Sequence, residues 1–157
     1  MAYPLVIKIT FDPPPSTWGR RLKEVTRGAF REMAQHWHNR FLPLHFRAGN
    51  EGRYAMQARS PQYQRQKGGK PDLVFRGIME AQMRSSCDIA AYPTRARCRM
   101  LAPAYVRINP RSGRPNLYRE ASRIVPEEKN ELMFVAKMRT VENLKAIREK
   151  RVVTVEG

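Results

Sequence analysis

Acidic residues are scarce in this chain: 14 Asp and Glu stand against 30 Lys and Arg, a formal net charge of +16 over 157 residues. That imbalance predicts attraction to a polyanion or to an acidic protein surface, and leaves few carboxylates for acid–base or metal chemistry. Cysteine is scarcer still. Two thiols, Cys87 and Cys98, exclude a disulfide framework and a four-cysteine zinc site. Of the three histidines, His36 and His38 are two apart and point about 200° away from each other on a helix, so they do not share one ion. His45 follows Pro43 with no carboxylate close in sequence, and surface or core-edge placement is expected for all three. Long apolar runs are missing too, so no stretch approaches the roughly 20 residues of a membrane span. The start MAYPLVIKITFDPPP carries neither a basic leader nor a small-residue cleavage site, and a soluble, cytoplasmically made chain is expected.

A nucleotide loop is absent as well. KGGKPDLVFRG (Lys67 to Gly77) offers two glycines beside a lysine, yet Lys70 is followed by Pro71 instead of Ser or Thr. No glycine stands five residues before Gly69, and no strand leads in, so the backbone cradle for phosphates is not encoded. The adjacent acids Glu127 and Glu128 read as residues favoured at a helix start, and no histidine base stands near Cys87 in sequence. The sequence therefore predicts no catalytic, cofactor-binding or metal-ligating residue, and no enzyme.

What is present is an ordinary globular balance, 41% hydrophobic and 28% charged, with a length that suits a single domain over residues 1–157. Leu5 to Phe11 reads as a strand stopped by Asp12 and three prolines. Ser16 is placed to cap a helix. From Trp18, apolar residues at Leu22, Val25, Ala29, Phe30, Met33, Ala34, Trp37 and Phe41 recur at three- and four-residue steps, predicting a long amphipathic helix that Pro43 ends. Residues 45–70 read as a long basic loop in which Ser60-Pro61 opens one helical turn. Gly77 to Arg84 reads as a short helix with Ile78, Met79 and Met83 inward.

SCDIAAYPTRARCRM predicts a hairpin turning about Tyr92-Pro93, which aligns Cys87 with Cys98 and Ile89 with Ala96 on an apolar face. The other face then carries Arg95, Arg97 and Arg99 in a row. Two further strands are expected at Tyr105–Ile108 and Leu117–Val125, joined by a projecting loop at 109–116 that holds Arg111 and Arg114. Pro126-Glu127-Glu128 opens a second, C-terminal helix. Its apolar residues fall on two sides, Leu132, Val135, Ala136 and Ile147 against Phe134, Met138 and Val141, so it is either buried twice over or broken near Thr140. RVVTVEG at the end reads as a last strand. The fold class is α+β: a long N-terminal helix packed on a mostly antiparallel twisted sheet, with the C-terminal helix added.

The run Tyr63, Lys67, Pro71, Leu73-Val74, Gly77 and Met79, then a strand pair, then Pro126-Glu127-Glu128, resembles the neck or tail-completion proteins of tailed bacteriophages, also described as virion-morphogenesis proteins. The resemblance spans about Tyr54 to Glu128. It departs from the family at Arg76, where Thr or Ser is usual, and at Met79, where Leu is usual. It implies a docking segment of Pro71, Leu73, Val74, Phe75, Gly77 and Met79, and a ring-forming subunit, hexameric or dodecameric, in the virion neck. The implied partners are copies of itself, connector or adaptor proteins and tail-tube or terminator proteins, with packaged DNA in the channel as a further contact. No cofactor is implied. Between Arg47 and Arg119 fifteen Arg or Lys stand against four Asp or Glu. Lys67, Lys70, Arg95, Arg97, Arg99, Arg111 and Arg114 are the candidate contacts for a polyanion or a partner. Arg95, Arg97, Arg99, Arg111 and Arg114 admit an alternative, a soluble nucleic-acid-binding protein gripping phosphates.

Overall fold

The computed structural model describes residues 2–10, 19–70, 73, 77–107 and 115–152; for 2–10, 107, 118 and 147–152 it describes the backbone alone. Strand β1 (Ala2–Thr10) is followed by helix α1 (Arg20–His36), α2 (Pro61–Lys67) and α3 (Ile78–Ser85). The hairpin β2 (Asp88–Tyr92) and β3 (Arg95–Pro103) comes next, then α4 (Leu117–Ala121) and α5 (Pro126–Val152). The strands form one antiparallel sheet in the order β1-β3-β2, with β3 in the middle. Helix α1 lies on β2 and β3, and α5 packs on α1, which gives the α+β architecture expected from the sequence.

Helix α1 exists because its apolar residues share one stripe: Val25, Ala29, Phe30, Met33 and Ala34 are all buried. At Trp37 the helix widens into one π turn (Trp37–Phe41), then tightens into a 3-10 turn (Leu42–Phe46) opened by Pro43. Proline here ends the α geometry without ending the helical path, since it removes one N–H but sits where the first turn tolerates it. The widened turn brings Trp37, Phe41, Leu42 and Phe46 into the core. Ser16 and Trp18 lie outside the described residues.

The second helix runs antiparallel to the first. Asn143 lies over Gly28, where an added Cβ would come within 3.3 Å of its Nδ2, so glycine sets how closely the helices approach. Arg139 reaches Glu32 at 2.7 Å, and Glu131 accepts from His36 at 2.9 Å and pairs with Arg40 at 3.0 Å. The expectation for α5 needs correcting. It neither breaks at Thr140, whose hydroxyl donates to the Ala136 carbonyl at 2.8 Å, nor is buried twice. Leu132 and Ala136 face inward, whereas Phe134, Met138 and Val141 are exposed. Arg151 and Val152, expected in a strand, continue this helix, and 153–157 lie outside the described residues.

The hairpin forms on the expected face but two residues out of the expected register. Tyr92 pairs with Arg95 and Ile89 with Cys98, so the turn residues are Pro93 and Thr94. Proline fits the second position of a tight turn and is disfavoured at the third, which is where the Tyr92-Pro93 turn would have put it. A two-residue slip keeps every side chain on its face. Ala96, Cys98 and Met100 are therefore still buried, opposite Arg95, Arg97 and Arg99.

Two expected strands are not strands. After Pro103, which cannot donate to a ladder, residues Ala104–Arg107 make a 3-10 turn that buries Val106; Ile108 is not among the described residues. Leu117–Ala121 is a short helix capped by Asn116, whose Oδ1 accepts from the Arg119 N–H at 2.9 Å and whose carbonyl accepts from Glu120. Ile78, expected inward, is 46% exposed, while Met79 and Met83 carry the contact of α3 with the core.

Candidate contact surface and the buried polar cluster

The docking segment enters the core at Leu73, which is buried among the α1 and sheet residues. Gly77 then adopts a left-handed φ of 72° that only glycine takes without strain, and its carbonyl accepts from the Ala81 N–H as α3 begins. Met79 is buried one residue beyond the helix start. Pro71, Val74 and Phe75 lie outside the described residues.

The described candidate cations separate into two groups. Arg95, Arg97 and Arg99 share the face of β3 turned away from the core, with Arg99 the most exposed and Arg95 stacked 4.7 Å from the Tyr92 ring centroid. Lys67 is corrected as a surface contact: it is only 4% exposed, at the end of α2, with its Nζ 5.8 Å from the centre of the Tyr63 ring. Lys70 is exposed and lines, with Lys67, Glu51 and Gln64, an open cavity of about 480 Å³. Arg111 and Arg114 are not among the described residues. The structure thus groups the β3 arginines and separately groups the two lysines.

The long loop is tied down by the helix opening expected at Ser60-Pro61 and by contacts for which the sequence named no partner. Ser60 caps α2 by accepting from the Tyr63 N–H at 3.3 Å. Tyr54 is fully buried and stacks on His45, with ring centroids 3.6 Å apart. Its phenol donates to Glu128 Oε1 at 2.5 Å, and Arg53 lies 3.4 Å from the same oxygen. Glu128 is fully buried at the first turn of α5, and burial raises its carboxyl above the ordinary 4.5. His45, expected at the surface or the core edge, is fully buried. Its Nδ1–H donates to the Glu120 carbonyl at 3.0 Å, and burial lowers its pKa from 6.5 to about 4. His38 is buried as well, with Nε2–H donating to the Met83 carbonyl at 2.9 Å.

Beside this cluster a buried ion pair fastens the loop to α4. Arg59 reaches both oxygens of Glu120, at 3.1 and 2.5 Å, and also donates to the Gln57 carbonyl; the Gln57 N–H donates to Glu120 Oε1. The signal for Glu128 was its place at the third residue of a helix opened by proline, where a side chain turns back over the helix start. Nothing local marked Arg59 or Glu120, because a partner about sixty residues away leaves no spacing to read.

The two thiols meet on the apolar face of the hairpin, Cys87 Sγ 2.8 Å from Cys98 Sγ. Among the described residues no group of three or more His, Cys, Asp or Glu is placed to hold a metal ion, and no helix is long and apolar enough to cross a membrane. No protein-family model, curated protein sequence or solved structure matches the chain.

Proposed function

We propose that the chain is a structural subunit of a tailed phage, a ring-forming neck or tail-completion protein that joins the head connector to the tail by assembly and not by turnover. The observation that carries this reading is the anchored docking segment. Leu73 in the core, Gly77 in its left-handed turn and Met79 at the start of α3 stand in the order of the resemblance, ahead of the hairpin and of the helix opened by Pro126. An assembly subunit also has a use for what this fold leaves uncovered. Helix α5 exposes Phe134, Met138, Val141 and Leu144, and the sheet ends in two edge strands, β1 and β2. In this reading the partners are copies of itself in a hexameric or dodecameric ring, a connector or adaptor, and a tail-tube or terminator protein. The surplus positive charge suits a DNA-filled channel or an acidic connector. The site of action is the virion neck, after synthesis in the host cytoplasm.

Native mass spectrometry and negative-stain microscopy of the purified chain, alone and with a connector ring, test the proposal. Closed rings, or addition of the chain to the connector, are expected. A monomer in both conditions, or purified particles without the protein, overturns it.

A second reading, a soluble nucleic-acid-binding protein, is favoured by one observation: Arg95, Arg97 and Arg99 line the same outer face of β3. Phosphate contacts release counterions, so binding to duplex DNA should weaken steeply with salt. Each arginine removed should lower the slope of log affinity against log salt by about 0.9. Affinity that stays flat from low to physiological salt rejects this reading.

A further inference from the structure

We propose that Cys87 and Cys98 form a reactive dithiol that a low-molecular-weight disulfide converts to an intramolecular disulfide, with Cys87 attacking and Cys98 resolving. This inference is independent of the neck reading, since it rests on the hairpin alone.

The geometry assigns the two roles. The sulfurs are 2.8 Å apart, within reach of a bond after a small side-chain rotation, and both cysteines are free. They differ in access. Cys98 lies in the central strand, paired with Ile89 on one side and Ile7 on the other, and is 2% exposed. Cys87 is half-buried and sits one residue before the β2 ladder begins at Asp88. Ser86 holds that entry point, accepting from the Leu101 N–H at 2.7 Å and donating to the Gln82 carbonyl at 2.7 Å. The backbone at Cys87 is thus positioned by a side chain and not by ladder pairing, and β2 is an edge strand, so a small shift disturbs no second strand.

Their reactivity differs in the same sense. The hydrogen bond with Cys98 lowers the Cys87 thiol from 9.0 to about 7, against its own burial, and His38 lowers it further while Asp88 opposes. Cys98 is pushed up by that hydrogen bond and by burial. The less buried cysteine is therefore the more acidic thiol, and an acidic thiol next to a second one is the arrangement that reacts reversibly.

The chemistry balances in two exchanges. The Cys87 thiolate attacks one sulfur of the disulfide RSSR, the S–S bond breaks, and RS⁻ leaves, taking up a proton as RSH. Cys98 then loses its proton and attacks Cys87 Sγ in the mixed disulfide, expelling a second RS⁻. The protein dithiol is oxidised by two electrons and RSSR is reduced to two RSH. Because Cys98 lies beside the mixed disulfide and is shielded from a second reagent molecule, the internal bond outcompetes a stable adduct.

The test is intact-mass spectrometry of the full chain with oxidised glutathione at neutral pH, on the wild type, Cys98→Ser and Cys87→Ser. The wild type is expected to lose two hydrogens and retain no glutathione, Cys98→Ser to keep one glutathione on Cys87, and Cys87→Ser to stay unmodified over the same time. Dithiothreitol should reverse both products. A wild type that keeps glutathione, a wild type that does not react, or a Cys87→Ser variant modified as fast as Cys98→Ser each overturns the proposal. Peptide mapping under unfolding conditions locates the bond, and a bridge between two chains in place of an internal one also overturns it.

Discussion

Tyr54 hands its phenol hydrogen to Glu128 across 74 positions of sequence, joining the long loop to the first turn of α5. Both groups are fully buried, and the second carboxylate oxygen, Oε2, has no hydrogen-bond partner among the described residues. Tyr54→Phe removes the donor and leaves buried Glu128 Oε1 only the Arg53 contact at 3.4 Å, which costs about 1–3 kcal/mol. Chemical denaturation should show that loss as a lower midpoint. An unchanged midpoint would mean that the loop is held by its other contacts.

The pH response of the same carboxyl has a definite sign. Burial raises the folded-state pKa of Glu128 above 4.5, so the folded chain binds this proton more tightly than the unfolded one. The stabilisation is fully present below 4.5 and is lost as pH rises through the raised folded value. Glu128→Gln, which does not titrate, should flatten stability against pH in that window. Melting curves of both proteins from acid to neutral pH check it, and parallel curves contradict it.

His45 acts in the opposite direction. Its pKa is depressed from 6.5 to about 4 by burial, so its contribution is present above 6.5 and is lost as pH falls through about 4. A shift of that size corresponds to roughly 3 kcal/mol at most for this side chain, which is 1% exposed. His45→Gln is expected to destabilise the protein at neutral pH by breaking the stack on Tyr54 and the bond to Glu120. It should also remove the fall in stability between pH 6.5 and 4. A fall of equal depth in the variant would assign it to other groups.

How much of this was legible depended on the range of each interaction. Helix α1 was plain because its stripe repeats within one turn, and the hairpin face was plain because its alternation is local. The register was missed by two residues since both registers satisfy that alternation, and only the turn preference of Pro93 separates them. Leu117 to Ala121 was misread as a strand because its apolar and β-prone residues outweighed one capping Asn116. Long-range partners were not legible. The bond of Tyr54 to Glu128 and the pair Arg59–Glu120 join segments that share no period. Within the candidate contact set the sequence placed the three β3 arginines on one face correctly, while it could not show that Lys67 turns inward beside Tyr63.

Gly77 provides a direct test of the docking segment. Its φ of 72° lies in the left-handed region, and a Cβ built there meets nothing within 4 Å among the described residues, so the cost of a side chain is conformational. Gly77→Ala should therefore destabilise the fold by about 1 kcal/mol, while Gly52→Ala, at an open position without positive φ, should change little. Thermal unfolding of the two variants side by side reads the difference.

The buried pair Arg59–Glu120 separates the cost of breaking an interaction from its net worth. Both side chains are nearly inaccessible, and Glu120 also accepts from the Gln57 N–H, so removing either partner strands a charge. Arg59→Met or Glu120→Gln alone should cost about 3–5 kcal/mol, because the remaining ion has lost its counter-charge inside the protein. The double variant removes both charges at once, and much of the desolvation penalty disappears with them. It is expected to be more stable than the Arg59→Met single variant, giving a positive coupling in a double-mutant cycle measured by urea unfolding. If the double variant instead loses the sum of the two single losses, the residues act independently, and the loop would be held by the bond of Tyr54 to α5 and not by this pair.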